Sequence, residues 1–182
     1  VDLCEKNKSL AYDVNTKGTE NILASINDNT HFIYISSDNI YGNEKKYNYE
    51  NAKKTPINIY GDSKLKSEKI ILVSNKKSTI LRTTIFGWHL FNSNYGLLSF
   101  IYNSLINKKT ISLFKDVFFT PISIPSFNRG LKKIVDNEIT GTYNYAGLER
   151  LSKLEFGNKI AEAFGLDKQY IIPISIDEKD FI

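Results

Sequence analysis

The stretch that decides the fold is HFIYISSDNIYG, residues 31–42. Its first six residues, His31 to Ser36, are almost all apolar, aromatic or β-branched, with no clean polar alternation. That pattern predicts a buried strand covered on both faces. After Ser36 the character flips: Ser37 to Thr55 is polar and irregular. On the N-terminal side, Leu10, Val14, Gly18, Ile22 and Ile26 recur every four residues, with Ala11 and Leu23 alongside. The spacing predicts a helix from about Ser9 to Ile26 with that stripe buried. On the C-terminal side, Pro56 precedes a second helix over about Ile57 to Asn75, with Ile59, Leu65, Ile70 and Leu72 as its apolar positions. Ser78 to Arg82 reads as another buried strand.

Helix, strand, helix, strand is the alternation of parallel strands joined by crossover helices, an α/β layered fold. Beyond Gly87 the pattern predicts helices near Leu97 to Ile106, Ser126 to Val135 and Ser152 to Phe164. Strands are predicted at Thr110 to Phe114, Thr142 to Tyr145 and Tyr170 to Ile174. The expected organisation is two lobes, residues 1–88 and 89–182.

Bulk properties narrow the function classes. The chain has 182 residues, 41% hydrophobic and 24% charged, as in an ordinary globular protein. Its net charge of +4 comes with lysines spread along the chain, which speaks against a nucleic-acid footprint. The single cysteine, Cys4, rules out an internal disulfide and suits a reducing, cytoplasmic setting. No apolar run approaches the ~18 residues needed to span a membrane. His31 and His89 have no metal-ligand spacing around them, and no metal site is expected.

A tyrosine four residues before a lysine occurs three times: Tyr41 with Lys45, Tyr49 with Lys53, and Tyr60 with Lys64. Composition alone predicts roughly 1.3 such pairs. Gly42 and Asn43 favour a turn within the first pair, and the second lies in a polar loop. Only Tyr60 and Lys64 start a helix, where positions i and i+4 share a face. An ammonium beside a phenol lowers its pKa from the reference near 10, so it can exchange a proton near neutrality. Ser37 and Asp38 follow the strand at its carboxyl end, where open α/β sheets place ligands.

These residues resemble the extended short-chain dehydrogenase/reductase superfamily, and within it the dTDP-4-dehydrorhamnose reductase group of nucleotide-sugar enzymes. The resemblance rests on VDLCEKNKSLAYDVNTKGTENI, FIYISSDNIYG, PINIYGDSKLKSE, ILRTTIFG and GTYNYAGLERLSKLEFGNKIAEAFGLD, which run in family order. It implies part of a Rossmann-type doubly wound parallel sheet with a smaller C-terminal α/β substrate lobe, and NADPH or NADH as cofactor. By position, Tyr60 resembles the proton donor to the substrate carbonyl, and Lys64 the residue that tunes that phenol and holds the nicotinamide ribose. Ser37 resembles the hydroxyl that bonds the same carbonyl, with Asp38 its substrate-side neighbour. Asn15 resembles an asparagine that supports the lysine through water. Arg82, Thr83 and Thr84 fall where the family passes close to the nicotinamide.

Two departures qualify the resemblance. No Gly-rich phosphate-binding turn occurs among the ten glycines. The resemblance places Val1 just past the family's fourth strand, so the chain is expected to be a piece of a longer protein. Alone, it is expected to bind no NAD(P) and to associate through the open edge of strand 31–36. The second departure is Ile85, at the substrate-facing position where rhamnose-type reductases commonly carry tryptophan. Epimerases, dehydratases and non-catalytic regulatory subunits of this fold therefore stay open beside a keto-sugar reductase. A nucleotide sugar is the expected small-molecule partner, and a homodimer is one assembly the resemblance allows.

Overall fold

The structure is a computed structural model that describes residues 1–42, 47–88 and 96–178. Lys45 and His89 lie outside the described residues. Two short helices, α1 (Asp2–Lys6) and α2 (Lys8–Tyr12), lead into a π-helical turn, Asp13–Lys17, and then α3 (Gly18–Ser25). Strand β1 (Phe32–Ser37) follows, then helix α4 (Ile59–Val73), strand β2 (Ser78–Thr83) and β3 (Ile85–Phe86). The rest runs α5 (Leu97–Ile106), β4 (Ile111–Phe114), β5 (Phe118–Phe119), β6 (Ile122–Ser123) and α6 (Ile124–Asp136). It continues with β7 (Gly141–Asn144), β8 (Leu151–Ser152), α7 (Lys153–Ala163) and β9 (Ile171–Ile174).

The chain divides into two compact units. The first holds residues 1–83 and 129–145; the second holds 84–128 and 146–182. The first therefore takes residues 129–145 from the stretch expected to form the C-terminal lobe, because β7 is hydrogen-bonded into its sheet. That sheet has the order β1-β2-β7, and every pairing is parallel. The α/β reading of the sequence is thus correct, and the sheet is part of a Rossmann-type arrangement. Strand β1 is an edge strand among the described residues. The register sets Ser37 opposite Thr83, so both hydroxyls stand at the carboxyl ends of neighbouring strands.

The core of the first unit is small: Leu23, Tyr34, Ile71 and Ile80. The stripe expected on the first helical segment is not the buried one. Leu10, Val14 and Ile22 are exposed at 44%, 64% and 49%, while Ala11, Thr19 and Leu23 are buried. Both rows have a spacing of four, so periodicity cannot choose between them. Close approach to α4 chooses, and it favours small and hydroxyl side chains. The facing side of α4 buries Gly61, Ser63, Ser67, Glu68 and Ile71, whereas Leu72, expected inside, is exposed. Thr19 Oγ1 and Ser67 Oγ both donate to the Asn15 carbonyl, at 2.6 and 2.8 Å. Thr16 Oγ1 donates to the Ser63 carbonyl at 3.1 Å. Asn15 lies in the π turn, and such turns recur at functional sites.

In the second unit β4 pairs with β9 and β3 with β6, both parallel, while β5 and β8 are antiparallel. Its core is conventional, built from Leu98, Ile101, Leu105, Leu113, Phe119, Phe156 and Ile160 among others. Helix α7 opens with a capping box in which Ser152 and Glu155 satisfy each other's backbone N–H.

Candidate functional site

The site grows from the end of β1 and the start of α4. Asn58 caps α4, its Oδ1 accepting from the Gly61 N–H at 2.7 Å. Gly61 lets the helix end press against the turn after β1. A Cβ built on it would lie 2.1 Å from the Asn39 carbonyl oxygen and 2.8 Å from its carbon. Only glycine fits there without moving backbone. This contact seats Tyr60, the residue before Gly61, beside Ser37.

Ser37 is buried and caps the 3₁₀ turn Asp38–Ile40. Its Oγ accepts from Asn39 N at 3.2 Å and from Asn39 Nδ2 at 3.0 Å, and donates to Asp38 Oδ1 at 3.2 Å. Tyr60 is half-buried, with its phenol against the Ser37 hydroxyl. Burial holds its pKa above the ordinary 10, the nearby Tyr34 phenol adds to that, and Ser37 opposes it.

This corrects the sequence expectation that Lys64 depresses the phenol. The Lys64 ammonium sits 4.2 Å from the centre of the Tyr34 ring. It makes no hydrogen bond or ion pair among the described residues. Burial brings its pKa down to about 8, against the pull of Glu68. The ammonium rests on the aromatic face, and burial governs the phenol.

Asn15 Nδ2 donates to Ser63 Oγ at 2.9 Å, next to Lys64 in the chain. Arg82, expected close to the nicotinamide, has its side chain in a buried ion pair with Glu68 at 2.7 Å, the side chains 4% and 1% exposed. Its Nε bonds the same carboxylate, and its remaining terminal nitrogen donates to Tyr41 Oη at 2.7 Å and the Glu50 carbonyl at 2.8 Å. Ser36 Oγ also donates to Glu68, at 2.5 Å. Every nitrogen of the guanidinium is thus committed inside the protein.

Thr83 is different. It is buried, and its hydroxyl has no partner among the described residues. Thr84 and Ile85 belong to the second unit, where the Thr84 carbonyl accepts from Ile122 N–H at 3.0 Å and Ile85 is 39% exposed on β3. Sequence reasoning missed Tyr34, Glu68, Asn39, Asn58 and Gly61. Asn58, a capping residue just before a helix, and Gly61, inside the YGDSK stretch, left a local signal. The other three owe their places to tertiary contacts.

Residues 1–180 match the RmlD substrate binding domain. The chain belongs to this family. One curated relative is "Probable low-salt glycan biosynthesis reductase Agl14" of Haloferax volcanii, 29% identical over 175 residues, covering 94% of this chain and 58% of the relative. Another is methionine adenosyltransferase 2 subunit beta of Xenopus laevis, 24% identical over 186 residues, covering 96% of this chain and 54% of that protein. Among solved structures, dTDP-4-dehydrorhamnose reductase from Bacillus anthracis in complex with NADP superposes with a TM-score of 0.88 at 27% identity. The match covers 98% of this chain and 63% of that one. The chain therefore spans less than two thirds of each of these relatives.

Proposed function

We propose that the protein carrying this RmlD-family chain reduces the keto group of a nucleotide sugar with NADPH or NADH, with Tyr60 giving the proton. The observation that supports it best is the position of the Tyr60 phenol, which lies against the Ser37 hydroxyl at the carboxyl end of a parallel strand. The nicotinamide supplies the hydride to the carbonyl carbon. Ser37 and Tyr60 hold the carbonyl oxygen, and the phenol O–H gives its proton to that oxygen as the alcohol forms. Lys64, free of other hydrogen bonds, steadies the phenolate left behind and is the group to hold the ribose. The unpartnered Thr83 hydroxyl and the uncommitted Lys64 ammonium fit a polar ligand at these strand ends. In this reading residues 1–88 carry the chemistry and 89–182 mainly contact the sugar nucleotide, with Asp38 and Ile85 on the substrate side.

The full-length protein should oxidise NADPH or NADH with at least one member of a panel of 4-keto nucleotide sugars. Tyr60→Phe should lower turnover by about 10²-fold, the scale of a lost general acid, with cofactor affinity nearly unchanged. Lys64→Ala should harm both turnover and cofactor affinity. Equal and mild effects would sink this division of roles. Epimerisation or dehydration of the same panel, with no net cofactor oxidation, would redirect the reading within the fold.

The similarity to methionine adenosyltransferase 2 subunit beta favours a second reading, a subunit that binds another enzyme without turnover of its own. It predicts a stable complex with a partner enzyme that Tyr60→Phe leaves intact, and no ketone reduction.

A further inference from the structure

The two asparagines beside Ser37 do more than shape a turn. A backbone N–H can only donate, so the Gly61 N–H fixes the oxygen of Asn58 toward itself, at 2.7 Å. The Asn58 amide nitrogen then points the other way, at Asn39, whose facing atom must be Oδ1; that bond is 3.0 Å. Asn39 Nδ2 is thereby turned to Ser37 Oγ at 3.0 Å and Asp38 Oδ1 at 3.1 Å. The carboxylate of Asp38 demands a donor there too, so the orientation of Asn39 is set from both ends. The Asn39 backbone N–H adds a second donor to Ser37 Oγ, at 3.2 Å.

A hydroxyl has two acceptor sites and one proton. Asn39 fills both acceptor sites of Ser37, which leaves only its proton to offer. In this structure that proton has two acceptors in reach, the Tyr60 phenol and, across 3.2 Å, Asp38 Oδ1; the latter is longer than the usual O–H···O of about 2.7 Å, so the proton is readily redirected.

We propose that Asn58 and Asn39 form an amide relay that fixes Ser37 as a hydrogen-bond donor to the substrate carbonyl oxygen. The relay rests on the keto-reduction reading above. Asn39 and Asn58 are positioning residues: they touch Ser37 or each other, and act on the carbonyl through Ser37.

Asn39→Asp tests the relay in the full-length enzyme. It keeps the size of the side chain and the bond from Asn58, but turns an acceptor toward Ser37. The Ser37 proton then goes to the new carboxylate and is lost to the substrate. Asn39→Ala removes the side chain without competing for that proton. The relay predicts the unusual order in which the near-isosteric Asp variant has a kcat about tenfold below that of the Ala variant, the scale of one lost donor bond, with KM little changed. A merely structural role predicts the reverse order, and that result would overturn the relay.

A measurement on the unmodified protein stands apart from activity. Side-chain amide protons of Asn39 should show NMR cross-relaxation to the β protons of Ser37 and Asp38; contacts to Asn58 in their place would also overturn it. Tyr60→Phe separates the two levels. If that variant keeps full turnover, the keto-reduction reading fails whatever Asn39 does. If it loses turnover while Asn39→Asp outperforms Asn39→Ala, only the relay fails.

Discussion

Arg82 and Lys64 are two cations that share one neighbour, the buried carboxylate of Glu68, and they have opposite fates. Arg82 engages that carboxylate directly and spends its remaining donors on Tyr41 and the Glu50 carbonyl. Lys64 feels Glu68 only at a distance, rests on the Tyr34 ring, and has its pKa brought down to about 8 by burial. A planar guanidinium with several fixed donors suits a permanent buried contact. A compact ammonium on a flexible stem can be half-buried, unpaired and ready for a ligand. The difference shows that a cation in the right place is a candidate for binding only if its donors are unspent.

The comparison breaks most sharply at Arg82. Arg82→Met leaves the Glu68 carboxylate buried without its partner and should cost about 3–5 kcal/mol of stability, read from urea denaturation. A loss below about 1 kcal/mol would mean that the pair is dispensable and that Arg82 resembles Lys64 after all. Gly61→Ala should come next. Its Cβ would collide with the Asn39 backbone, so the helix end must move off the turn, at about 1–3 kcal/mol by the scale of overpacking. Turnover should fall with it, since Tyr60 moves away from Ser37; an undisturbed Tm and kcat would contradict the close contact.

Lys64 should give the smallest change in stability, and its sign is informative. Its folded pKa, about 8, lies below the 10.5 of a lysine in the unfolded chain. Between those values the unfolded state binds more protons, so this group makes stability rise with pH from about 8 to about 10.5. Below pH 8 both states are protonated, and the half-buried charge is a cost. Lys64→Met should therefore unfold no more easily than the parent at pH 7, and its Tm should lack the part of the alkaline rise due to this group. Identical pH profiles for the two proteins would place Lys64 in a solvated setting and erase the contrast with Arg82.

Part of this was legible in the chain. The run His31 to Ser36 gave β1, the helix–strand alternation gave a parallel sheet, and Tyr60 and Lys64 fall in the first turns of α4, as expected of a helix start. The buried row of the first helical segment was not legible. Leu10-Val14-Ile22 and Ala11-Thr19-Leu23 repeat with the same period, and hydrophobicity points to the row that ends up exposed. A helix pair stitched by hydroxyls to one carbonyl has no periodic signature that separates it from surface polarity. The π turn was equally silent.

What the sequence determined by itself is local: which segments are strands and helices, where α4 starts, and that a phenol, an ammonium and a hydroxyl stand at element ends. These follow from side-chain period, capping and turn preferences, which act over a few neighbouring residues. What only the tertiary structure decided is which polar groups remain unspent. The Arg82 side chain is committed inside the protein because Glu68, fourteen residues away, and Tyr41, forty-one away, take its donors. The Tyr60 phenol is raised, not lowered, because packing removes water from it and the Tyr34 phenol adds to the effect. Burial and the partners gained through long-range contacts set those outcomes, and neither is a property of a short stretch of chain.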